Sequence, residues 1–120
     1  MAILSRFLGG VIASVTGIGG TAVVADLGFI PSYAEGLDAS SGDVFWKWNA
    51  GMENVTGGAN IFGFIASNSA GGQFGTISAG TGGITSLDGS AGTVIGLTIG
   101  TNTIINVASH AILITAWRAQ

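Results

Sequence analysis

The sequence predicts an all-β protein, a single-domain antiparallel β-sandwich or jelly roll with glycine-rich loops, and three observations carry that reading. The stretch Asp43-Val44-Phe45-Trp46-Lys47-Trp48-Asn49 alternates, with Val44, Trp46 and Trp48 on one face and Phe45, Lys47 and Asn49 on the other. Aromatic and β-branched residues in that period mark a half-buried strand. Glycine supplies 22 residues and proline one, and Gly-Gly pairs at 9–10, 19–20, 57–58, 71–72 and 82–83 punctuate short apolar runs. No long run carries a helical period.

Taken in order, residues 1–20 read as either an N-terminal arm or a first strand, and residues 21–120 as the β-sandwich domain. Arg6 sits among Ile3, Leu4, Phe7 and Leu8, so Arg6 and Phe7 are the arm's candidate contacts with a neighbour. Strands are expected near Val11 to Thr16, Thr21 to Asp26, Ser32 to Asp38 and Asp43 to Asn49. Further strands are expected near Asn60 to Ala66, Gln73 to Ser78, Gly83 to Leu87, Thr93 to Ile99, Thr103 to Val107 and His110 to Arg118. The low-complexity segment from Ala66 to Gly83 carries Phe74 and Ile77 and reads as an exposed loop or loose hairpin. In the last strand Ile112, Ile114 and Ala116 oppose Leu113, Thr115 and Trp117. Two apolar faces make it a central strand, or an edge covered by a partner.

Composition narrows the function. Only 8% of the residues are charged, against a usual quarter. A monomer of this size exposes about 6,000 Å² of surface, too much for so few charges to keep comfortably soluble. Burial against other subunits is therefore expected. Net charge is −3 and the three basic residues are scattered, so no nucleic-acid stripe exists. Without cysteine there is neither a disulfide nor a thiolate metal site. The apolar start from Met1 to Ala25 superficially resembles a signal peptide, but its five glycines make a poor helix, and no membrane segment is expected.

Motifs for chemistry are weak. His110 lies beside Ser109 in a strand pattern, with no nucleophile elbow, and reads as a strand-end histidine. Gly17-Ile18-Gly19-Gly20-Thr21 lacks the lysine of a phosphate loop and reads as a glycine turn. Asp26, Glu35, Asp38, Asp43 and Glu53 meet no calcium-loop or glycosidase spacing. Asp38 and Asp43 flank Ala39-Ser40-Ser41-Gly42, a solvated hairpin turn. Asn54-Val55-Thr56 matches a glycosylation acceptor, which matters only in a secreted eukaryotic protein. No enzyme activity, metal or cofactor is expected.

A resemblance adds to this reading. Leu27-Gly28-Phe29-Ile30-Pro31-Ser32-Tyr33, the turn from Asp38 to Gly42 and Phe45-Trp46-Lys47-Trp48 leading to Gly51-Met52 are similar to small all-β virion proteins of tailed bacteriophages. So are Gly96-Leu97-Thr98-Ile99-Gly100, Asn102, Ile105-Asn106-Val107 and the closing strand with Trp117 and Arg118. The first twenty residues lie outside the resemblance, and Glu53 follows Gly51-Met52 where similar sequences place the acid before it. The resemblance implies a capsid decoration, or cement, protein on the outside of an icosahedral head, commonly a homotrimer. Its partners would be the major capsid protein and copies of itself, and its location the virion. With the N-terminal pair, Asp38, Asp43, Met52, Glu53 and Phe74 complete the candidate interface. The rival expectation is a tail or fibre component with a lectin-like or receptor-binding role, stacking Trp46, Trp48 or Trp117 on sugars. A hydrolase using Asp38 or Asp43 is a third class.

Overall fold

The structure is a computed structural model that describes residues 1–52, 61–68, 73–78, 80–90, 92 and 94–118. Its strands are β1 (Ala2–Phe7), β2 (Gly10–Thr16), β3 (Val23–Asp26), β4 (Pro31–Asp38) and β5 (Val44–Asn49). They continue with β6 (Phe64–Ser67), β7 (Gln73–Thr76), β8 (Ile84–Asp88), β9 (Ile95–Ile99) and β10 (Ala111–Arg118). Two antiparallel sheets form, one ordered β1-β2-β10-β4-β5-β6-β7 and the other β3-β9-β8. Their apolar faces share one core, which makes the molecule a β-sandwich.

Alternation decides which side of each strand turns inward. Val44, Trp46 and Trp48 on β5 are buried, as are Ile112, Ile114 and Ala116 on β10 and Val11, Ala13 and Val15 on β2. Val23, Ala25, Ile84, Leu97 and Ile99 answer them from the smaller sheet. β10 is the central strand of its sheet, between β2 and β4, so its two apolar faces are explained within one chain. Size matters as well as polarity. Along one inward row Ala13, Ile114, Gly36, Trp46 and Ile65 lie side by side, and a Cβ on Gly36 would collide with the indole of Trp46. Glycine at 36 makes room for the largest side chain in the row. The indole N–H groups of Trp46 and Trp48 are buried without an acceptor among the described residues, a cost of about 1–3 kcal/mol each. Their apolar rings must outweigh it.

The loops joining the sheets depend on Asn106. Its Oδ1 accepts from the backbone N–H of Ile18 (2.8 Å) and Gly19 (3.1 Å), and its Nδ2 donates to the carbonyls of Thr21 (2.8 Å) and Gly100 (2.9 Å). This fully buried amide uses both ends, as burial demands. It also gives the glycine turn at 17–21 its reason: a side chain at 17 would strike the carbonyl of Val107. The strand expected from Thr103 to Val107 is therefore absent. Those residues form turns, with Asn102 Oδ1 accepting from the backbone N–H of Ile104 (2.9 Å) and Asn106 committed to the clamp. Side-chain amides that bond the backbone locally compete with a sheet ladder, and here they win.

Candidate functional site

The outward side of the larger sheet is where a surface function has material to work with. The residues that alternate with the core form rows. One runs Leu113, Leu37, Phe45, Ala66 and Phe74 across β10, β4, β5, β6 and β7, apolar throughout. The next places Glu35 opposite Lys47 and Lys47 opposite Phe64. A third brings Tyr33 and Trp117 together, their ring centroids 5.1 Å apart, with Phe7 edge-on to Trp117 at 6.3 Å. The Tyr33 hydroxyl donates to Glu35 at 3.1 Å. Partial burial, then that carboxylate's acceptance and charge, push the phenol's pKa up.

Phe74 is 81% exposed on the outermost strand β7, with Phe64 edge-on to it at 4.8 Å. Between Leu37, Phe45, Ala66, Asn68 and Phe74 lies an apolar groove of about 530 Å³ with Asp43 at its rim. The segment read as a loose loop or hairpin thus contributes a paired strand, β7, and Ile77 to the core.

The turn from Asp38 to Asp43 adjoins this groove, and it is more tightly built than a solvated hairpin. Asp38 is 5% exposed. Its Oδ1 accepts from the backbone N–H of Ser40 and Ser41, both at 3.0 Å, and its Oδ2 lies 2.6 Å from His110 Nδ1. An ionised carboxylate can only accept, so Nδ1 carries the hydrogen. Burial pushes the Asp38 carboxyl up. The hydrogen bonds from His110 and Ser41, the charge of His110 and the Ser40 N–H outweigh burial and hold its pKa below the ordinary value. The Ser40 hydroxyl accepts from the Ala111 N–H at 2.9 Å, and the Ser41 hydroxyl bonds Asp43. One turn is thereby tied to the start of β10.

Of the candidate residues, the structure brings Asp43 and Phe74 to one groove and places Arg6 and Phe7 at the opposite corner of the same sheet. β1 is an exposed edge strand bulged at Leu4, neither buried in the core nor detached from it. Asp38 faces inward to His110, so its carboxylate is not offered to a partner. Met52 packs half-buried against the core, and Glu53, like Asn54-Val55-Thr56, lies outside the described residues. The sequence reading missed the pairing of Asp38 with His110 and the outward apolar row. The outward alternation of Leu37 and Phe45 was visible, but only the strand register aligns it into a surface.

No cluster of three or more His, Cys, Asp or Glu side chains that could hold a metal ion occurs among the described residues. No helix there is long and apolar enough to cross a membrane. The fold and surface together define a class, an all-β sandwich with an apolar, weakly charged outer sheet face. Compared with family models, curated sequences and solved structures, the chain matches none.

Proposed function

We propose that the chain is a non-enzymatic structural protein of a phage virion, which binds the outer surface of the capsid and stabilises the shell. The observation that carries this reading is the unpaired apolar surface: Leu4, Leu8, Leu37 and Phe74 stand exposed on a molecule of 6033 Å² that bears nine formal charges. Such a surface is suited to close contact with protein, because each Å² of apolar area removed from water contributes roughly 25 cal/mol before association costs. The sequence resemblance supplies the phage context. The partners in this reading are the major capsid protein and further copies of the chain, the expected assembly being a trimer.

The test is immunogold labelling of particles of the phage that encodes this sequence. Gold on the heads supports the proposal, and particles free of label overturn it. Gold on the tails favours the second reading, a tail or fibre component with a lectin-like role. One observation supports that rival: Trp117 is only half-buried and stands beside Tyr33 on the outer face, whereas Trp46 and Trp48 are at 1% and 0% exposure. Only Trp117 is left to stack on a sugar, so glycan binding by this fold would quench one tryptophan of three.

A further inference from the structure

We propose that a second copy of this chain seats the tip of its β1–β2 hairpin in the groove on the outer face of the seven-stranded sheet. This rests on the self-association in the proposed function and names the surfaces that perform it. The tip is an apolar knob with one cation. Leu8 is 104% exposed, projecting from a turn in which Gly9 takes a φ of 93°, with Leu4 at 57% and Phe7 at 37% beside it. Arg6 makes no ion pair among the described residues, and neither β1 nor its turn carries a carboxylate.

The groove is the complement. It offers about 530 Å³ between Leu37, Phe45, Ala66 and Phe74, more than the room one leucine side chain needs. Asp43 stands at its rim, where its carboxylate accepts from the Ser41 hydroxyl. Among the described residues that line the groove none is cationic; Lys47 is in register with Glu35, its Nζ 5.8 Å from the centroid of the lining Phe45 ring. Knob and groove therefore match in polarity and in charge, Arg6 to Asp43.

They cannot meet within one molecule. Phe7 pairs with Gly10 at the Trp117 end of the sheet, whereas Asp43 precedes β5 at the Asp38 end, several strands away. The contact is consequently heterologous, knob of one copy to groove of the next, and gives a finite assembly only if the rotation closes. Burying a free leucine contributes about tenfold or more in affinity, and opposed charges at the rim fix the orientation.

Sedimentation equilibrium of the full chain tests this. The wild type is expected to self-associate. Arg6→Glu, Asp43→Arg, Leu8→Ser and Phe74→Ser should each weaken association by about tenfold or more, and the double reversal Arg6→Glu/Asp43→Arg should recover it. Leu8→Ser and Phe74→Ser keep the test valid if Asp43→Arg disturbs its turn, since both side chains are exposed. A wild type that stays monomeric, Leu8→Ser and Phe74→Ser variants that associate as the wild type does, or a double reversal that keeps the wild-type circular dichroism spectrum yet fails to recover overturns the interface. Labelling of heads is read independently, so loss of this contact and loss of the capsid role are separable.

Discussion

Asp38 shows how a single buried carboxylate can be kept charged. Two backbone N–H groups and His110 replace its water, and its pKa falls although burial alone would raise it. A carboxyl depressed on folding contributes stability that is fully present above its unfolded pKa, near 3.9, and lost as the pH falls through the lower folded value. Acid unfolding below about pH 4 should therefore begin with this turn, read as early loss of amide protection at Ser40 and Ser41. Asp38→Asn should flatten that acid limb and cost about 1–3 kcal/mol at neutral pH in denaturant titrations. At Asn106 the stakes are higher, because truncation strands four backbone groups. Asn106→Ala is expected to destabilise by about 3–5 kcal/mol in the same assay. Gly36→Ala should also destabilise by at least about 1–3 kcal/mol, since the new methyl meets the Trp46 ring in a filled core.

At the scale of elements, the larger sheet separates holding from presenting. β2, β10, β4 and β5 hold: each gives alternate residues to the core and has a partner on both sides. β1 and β7 end the sheet, and edges left open pair readily with other chains. β1 carries two devices that moderate this, the bulge at Leu4 and the charge of Arg6. Phe74 on β7 contributes little to the fold, so Phe74→Ser should change unfolding stability by no more than about 0.5 kcal/mol while weakening self-association. Trp46→Ala, a change in the next strand but one, should cost about 3–5 kcal/mol by thermal or chemical unfolding. The contrast between two aromatic residues of one sheet is the measurable form of that division.

For the whole molecule, the charge deficit and the shape belong together. The chain fills a body of 37 × 37 × 25 Å, and its broad sheet displays an apolar row on its outer face. Its three tryptophans divide accordingly. Acrylamide should reach only Trp117 in the native state, and Trp117→Phe should remove nearly all of the quenchable fluorescence. In the proposed assembly the β1–β2 tip and the groove beside Phe74 meet neighbours, while the interior is given over to the fold.

Much of this was legible in the residues. The alternation of Val44, Trp46 and Trp48, the opposed faces of β10 and the glycine punctuation determined an all-β sandwich and its core, because side-chain period and burial are local consequences of pleated geometry. The site was less legible. Arg6, Phe7, Asp43 and Phe74 were identifiable as contact candidates, but which of them share a surface depends on register and strand order, which bring together residues far apart in sequence. Asp38 looked solvated because its turn is written in Asp, Ser and Gly, and His110 lies 72 positions away. Asn106 looked like strand because three of the four backbone groups it satisfies belong to a loop more than 80 positions away. The sequence by itself determined the sandwich and what fills it. Only the tertiary structure decided which polar groups are buried in pairs and which apolar ones are left facing outward, since both depend on partners that folding alone assembles.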